Sequence, residues 1–171
     1  MSSAPFVIKA LGKEARESFD CGSDPLNQYF KTRISQDVKR QLAGAFIAVE
    51  HASGRIAGFY TLSAAHVALG DLNEDWLRKL PRYPTVPAVL IGRLAIDTAF
   101  QGAGLGAALL ADAVLRTLRS DIAAHMLMVD AKDDTAAAFY QHHGMRRAPD
   151  QTHRLFVPLS ILAAHLGLKR S

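Results

Sequence analysis

The chain has 171 residues, a formal net charge of +4, and 49% hydrophobic against 21% charged residues. That length is by default one domain, 1–171, and the balance suits a soluble globular protein rather than a disordered one. No apolar run reaches the roughly 18 residues of a membrane-spanning helix, Met1–Phe6 has no basic-then-apolar leader, and the single cysteine, Cys21, fits a reducing cytoplasm.

In chain order, Phe6 to Leu11 reads as a strand. Asp24-Pro25 opens a helix, with Asp24 as cap and Pro25 at the first helical position; it runs to about Leu42 with a break near Thr32. Ala45–Glu50 and Arg55–Ala65 flank a turn at His51–Gly54, a hairpin. Asp71–Leu80 is a short helix, followed by Pro81, Pro84 and Pro87 as a stiff connector into an apolar strand at 88–97. Leu105, Leu109, Leu110, Val114 and Leu118 mark one face of the next helix, 104–119. His125–Ala131 is apolar on both faces, as a central strand is. Asp133-Asp134-Thr135 caps a helix to about His143, closed by Gly144; a strand at His153–Val157 and a helical tail from Pro158 complete the chain. A hairpin followed by strand–helix units predicts a layered α/β fold, with a crossover from strand 88–97 through the helix to strand 124–131.

The segment Phe100-Gln101-Gly102-Ala103-Gly104-Leu105-Gly106 lies between a strand and a helix. Glycines there let backbone approach a ligand, and the free N–H groups of a helix start favour an anion. A glycine turn can also be a plain connector. Two phosphate-binding patterns are absent: no lysine follows the turn as in Gly-x-x-x-x-Gly-Lys-Ser/Thr, and the glycine spacing is not that of a dinucleotide fold.

Gln101-Gly102-Ala103-Gly104-Leu105-Gly106 resembles the Gln/Arg-x-x-Gly-x-Gly/Ala motif of the GNAT acyl-CoA-dependent N-acetyltransferases. Phe19-Asp20-Cys21-Gly22, Leu26-Asn27-Gln28-Tyr29-Phe30, Ile91–Asp97 and Ala138–Met145 are similar to segments of the GNAT toxins of bacterial toxin–antitoxin pairs. The resemblance spans residues 19–160. It implies an α/β GNAT fold, a central mixed and mostly antiparallel sheet flanked by helices. It implies acetyl-CoA as co-substrate, with Leu94, Ala95 and Ile96 along the pantetheine arm and Gln101, Gly102, Ala103, Gly104, Leu105 and Gly106 around the pyrophosphate. Many members carry a basic residue where this chain has Ala103, so the cradle here leans on backbone N–H groups. It implies acetylation of the α-amino group of aminoacyl-tRNA, a homodimer, and a cognate ribbon-helix-helix antitoxin through which alone operator DNA would be bound.

By the same resemblance Tyr140 is the catalytic acid. A phenol with an ordinary pKa of about 10 stays protonated at neutral pH and can protonate a departing thiolate. The alternative is that Tyr140 is an amphipathic core residue of that helix. No base stands out: Asp97 fits a cap better, and His66 is equally an ordinary surface residue. Arg93, inside an apolar strand, needs a partner if buried, so it is either paired structurally or placed for substrate. Basic clusters at Lys31, Arg33, Lys39 and Arg40, at Arg78, Lys79 and Arg82, and at Arg146 and Arg147 are solvated faces or phosphate tracks. The seven histidines form no metal-ligand spacing, and adjacent His142 and His143 should diverge by about 100° on a helix.

Overall fold

The structure is a computed structural model that describes residues 5–149 and 151–168. Its strands are β1 (Phe6–Ala10), β2 (Gly44–Glu50), β3 (Ile56–Ala68), β4 (Thr85–Ile96), β5 (Met126–Asp130), β6 (Arg146–Ala148) and β7 (Gln151–Pro158). Its helices are α1 (Asp24–Thr32), α2 (Ile34–Lys39), α3 (Glu74–Leu77), α4 (Leu105–Arg119), α5 (Asp134–His142) and α6 (Leu159–His165). The strands pair in the order β1-β2-β3-β4-β5-β7-β6. β4 and β5 are parallel, whereas β1–β2, β2–β3, β5–β7 and β6–β7 are antiparallel, so the sheet is mixed and mostly antiparallel as expected.

The chain groups into two compact units, Met1–Ser63 with Arg93–Asp112, and Ala64–Gly92 with Ala113–Ser171. The first is built on an aromatic core. Phe30 stacks on Phe59 at 4.4 Å between ring centroids, Phe19 lies 4.7 Å from Phe30, and Ile34, Ile47 and Ala95 fill around them. Such ring pairs each add about 0.5–1.5 kcal/mol beyond their area burial. In the second, Met126–Val129 of β5 are buried on both faces, as the unbroken apolar run requires. Leu155 and Val157 of β7, Leu162 of α6 and Tyr140 of α5 complete this core.

Several boundaries differ from the sequence reading, each for a local reason. The cap of α1 is Ser23, with Pro25 in the first turn, rather than Asp24. The break near Thr32 is real and falls at Arg33, but α2 stops at Lys39 instead of running to Leu42. Gln41 takes a left-handed φ of 59°, and Gln41 N and Leu42 N donate to the carbonyls of Val38 and Asp37, a closed helix end made without glycine. The helix expected over 71–80 begins only at Glu74, because Asn73 caps it, its Oδ1 accepting from Trp76 N at 3.1 Å, and it ends at Leu77. The strand β6 went unread, since three residues show no period. The terminal helix α6 is shorter than the expected tail, whose last residues lie outside those described.

Candidate active site

The strand before the glycine turn is shaped by alternation. Ala95 points into the aromatic core, while Leu94 and Ile96, half-buried, point to the other face. On that face Gly58 of β3 leaves room: a Cβ there would stand 3.0 Å from the Ala95 carbonyl oxygen, 3.0 Å from Ile96 Cδ1 and 3.1 Å from Leu109 Cδ1.

Past Ile96 the chain makes one 3-10 turn, Thr98–Phe100, and enters the glycines. Gly102 and Gly104 have φ of 82° and 78°, the left-handed region that side chains disfavour. Nothing lies within 4 Å of where a Cβ would stand on either, so this backbone is open to a ligand. Gln101 through Gly104 are exposed, Gly106 is half-buried, and Leu105 is buried and anchors the start of α4. The helix is fifteen residues long, and the N–H groups of its first turn have no intrahelical acceptor. The Gln101 amide is not aimed outward; its Nε2 donates to the Ile96 carbonyl at 3.1 Å and braces the turn.

Arg93 is not buried, contrary to the position its apolar strand suggested. Its backbone N donates to Thr61 Oγ1 at 3.1 Å, and its guanidinium sits 3.6 Å from the centroid of the Tyr29 ring. Tyr29 Oη donates to Asp37 Oδ2 at 2.8 Å. Burial and the Asp37 hydrogen bond push the Tyr29 phenol up to about 12, with Arg93 opposing. Asp24, Gln28, Tyr29, Arg33 and Arg93 line a cavity of about 500 Å³ beside α1. That Tyr29 and Arg33 wall one cavity was not read from the sequence; its signals were the Leu26–Phe30 segment for Tyr29 and the basic cluster at Lys31–Arg40 for Arg33.

Asp97 is withdrawn from the role of base. It is 2% exposed, and both carboxylate oxygens accept backbone N–H bonds, from Ala99 and from Asp20. His66 is exposed and lines a separate cavity of about 250 Å³ with Asp71, Gln151 and Arg154.

Tyr140 lies on α5, whose cap is Asp133, Oδ1 accepting from Ala136 N at 2.8 Å. It is 3% exposed, and burial pushes its phenol well above the ordinary range, so it is protonated at any physiological pH. His142 and His143 do not diverge. Their ring centroids are 5.3 Å apart, because His143 has left the helix (φ −90°, ψ 11°). His165 packs on His143 at 5.7 Å, and burial with these two neighbours lowers the His143 pKa. Among the described residues no group of three or more His, Cys, Asp or Glu is arranged to hold a metal ion.

The profile of the acetyltransferase (GNAT) domain matches residues 42–146, which includes β4, the glycine turn, α4 and Tyr140. The chain belongs to the GNAT acetyltransferases. A tRNA-acetylating toxin of Mycobacterium tuberculosis is 32% identical to this acetyltransferase over 152 residues, 88% of this chain and 89% of the relative. A solved structure of AtaT complexed with acetyl-methionyl-tRNAfMet is similar with a TM-score of 0.84 and 28% identity, covering 93% of this chain and 98% of that one. A tyrosine-to-phenylalanine mutant of the AtaT toxin, bound to the C-terminus of the antitoxin AtaR and acetyl-CoA, is similar with a TM-score of 0.78 and 26% identity, over 94% and 98%. The chain carries no helix long and apolar enough to cross a membrane among the described residues.

Proposed function

We propose that this acetyltransferase is a toxin that moves the acetyl group of acetyl-CoA to the α-amino group of aminoacyl-tRNA and so blocks translation, and that a cognate antitoxin neutralises it. The observation that carries the reading is the 32% identity with a tRNA-acetylating toxin across 88% of the chain. The open left-handed backbone at Gly102 and Gly104 supports acetyl-CoA as co-substrate, since it fits a pyrophosphate against the first turn of α4. Gln101 through Gly106 would cradle the phosphates, and Leu94, Ala95 and Ile96 would flank the pantetheine arm.

In this reading the neutral amine attacks the thioester carbonyl directly, the C–S bond breaks, and the Tyr140 phenol gives its proton to the leaving sulfur. The proton lost by the attacking amine passes through water to the Tyr140 oxygen and restores the acid. Burial keeps the Tyr140 phenol protonated at neutral pH, so its proton is in place when the sulfur leaves. Arg93 and Arg33, beside the α1 cavity, would meet the polyanionic substrate. The assembly would be a homodimer in the cytoplasm. Its antitoxin would be a ribbon-helix-helix protein, and operator DNA would be contacted only through the toxin–antitoxin complex.

The test is incubation with labelled acetyl-CoA and the full pool of charged tRNAs. Label should appear on the aminoacyl group of one or a few tRNAs. Label that reaches only protein or small amines, with none on aminoacyl-tRNA, would replace the toxin reading with that of a GNAT enzyme for those amines.

A further inference from the structure

Phe19–Gly22 and the Asp97 end of β4 are far apart in sequence but bonded to each other in the first unit. We propose that Asp20 and Asp97 form a clasp that positions the 101–106 turn for acetyl-CoA, an inference that rests on the co-substrate reading above. Asp97 Oδ2 accepts from Asp20 N at 3.0 Å, and Thr98 N donates to the Asp20 carbonyl at 2.8 Å. Asp20 and residues 97–98 thus exchange two hydrogen bonds. The other Asp97 oxygen, Oδ1, caps the 3-10 turn through Ala99 N at 2.9 Å and lies 3.8 Å from Arg55 Nη2. Asp97 N is itself tied to the Ala57 carbonyl at 2.8 Å.

The Asp20 side of the clasp is held just as closely. Asp20 Oδ1 accepts from Gly22 N and from Asn27 Nδ2, each at 2.9 Å, and Asn27 Oδ1 accepts from Cys21 N at 2.9 Å. Asn27 is on α1, so the clasp joins the α1 cavity wall to the end of β4. A carboxylate this buried is stable only when its oxygens are satisfied. Here the satisfaction comes entirely from groups whose spacing fixes where the chain leaves β4. The 3-10 turn then delivers it to Gln101, with Phe100 held edge-on to Phe6 at 5.8 Å and under the Arg55 guanidinium at 5.2 Å. Four residues separate Asp97 from Gly102, three of them in the 3-10 turn that Asp97 itself caps, so a displacement of Asp97 is carried toward the glycine backbone.

Two variants test the clasp. Asp97→Asn keeps the shape but has one acceptor oxygen in place of two and no charge for Arg55. Asp20→Ala keeps the two backbone bonds to residues 97–98 but removes the carboxylate that accepts from Gly22 N and Asn27 Nδ2, so the 19–22 loop that presents those bonds loosens; its side chain is exposed, so it decides the matter if Asp97→Asn fails to fold. Calorimetry with acetyl-CoA and steady-state kinetics on the full chain are the readouts. We expect the acetyl-CoA Kd and KM to rise about tenfold in both variants, the size of one lost hydrogen bond to a charged group. The KM for aminoacyl-tRNA and kcat per folded molecule should stay within roughly twofold of wild type. Wild-type acetyl-CoA affinity in Asp20→Ala, or a loss confined to kcat or thermal stability, overturns the clasp as a positioning device. A wild-type chain that binds no acetyl-CoA overturns the co-substrate reading and the clasp with it.

Discussion

Replacing Gly58 by alanine adds a single methyl at the point where β3, the end of β4 and α4 come closest. The methyl would stand 3.0 Å from the Ala95 carbonyl oxygen and 3.0 and 3.1 Å from the ends of Ile96 and Leu109, whereas ordinary contact lies at 3.4–4 Å. Two effects oppose each other. Alanine loses less chain entropy on folding than glycine, which favours the variant by about 0.5–1 kcal/mol. Overpacking a filled core costs about 1–3 kcal/mol. The Ile96 and Leu109 ends can rotate away, but the Ala95 oxygen belongs to the backbone and moves only if β4 moves. The cost therefore falls in the upper half of its range, about 2–3 kcal/mol, and the net is about 1–2.5 kcal/mol of destabilisation. For a chain of this size that lowers Tm by about 2–10 °C. Because relief requires movement of residues 95–96, which we assign to the pantetheine arm, the acetyl-CoA KM should rise as well. Thermal unfolding by circular dichroism and an acetyl-CoA titration measure both. Gly70→Ala is the control: nothing lies within 4 Å of its Cβ position and its φ is not left-handed, so it should be neutral or slightly stabilising. A Gly58→Ala protein that melts at or above the wild-type temperature with an unchanged KM would refute the reasoning.

Tyr140→Phe removes only the phenolic oxygen from a buried ring, so Tm should stay close to wild type while kcat falls about 10²-fold or more, the usual contribution of a general acid; an unchanged single-turnover rate of acetyl transfer would exclude Tyr140 as the acid. Ala103→Arg places a cation at an exposed position of the turn and should tighten acetyl-CoA binding several-fold at low salt, an advantage that fades by about 0.5 M salt; equal affinity at low salt would show that the phosphates do not lie there. Burial raises the Tyr140 phenol, and burial with the Asp37 bond raises Tyr29 to about 12, so the folded chain keeps protons that the unfolded chain releases near pH 10. That stabilisation is full below about pH 10 and is lost as pH rises from there. The urea midpoint should drop from pH 10 upward, less steeply in Tyr140→Phe, and parallel curves for the two proteins would count against burial as the cause.

Much of this protein was written in local sequence. The double-sided apolar run of β5, the amphipathic spacing of α4, and the glycines between strand and helix each follow from residues near one another, where periodicity and backbone freedom act directly. The backbone of the turn was legible for the same reason: glycines between a strand and a helix tolerate left-handed backbone, and Gly102 and Gly104 do adopt it. What the sequence could not decide were contacts between distant segments. Arg93 looked buried because its neighbours are apolar, but its strand ends beside α1, where the Tyr29 ring supplies a platform at 3.6 Å and leaves the guanidinium in solvent. Asp97 read better as a cap than as a base, and it does cap the 3-10 turn through Ala99 N; what local sequence could not show is its second partner, the Asp20 amide 77 residues away. His142 and His143 were read as helical neighbours that diverge, and one residue leaving the helix brought their rings together. Periodicity and turn chemistry are properties of a few adjacent residues and survive without the fold. Burial, pairing and pKa are properties of whatever the fold brings near, and only the tertiary structure supplies those partners.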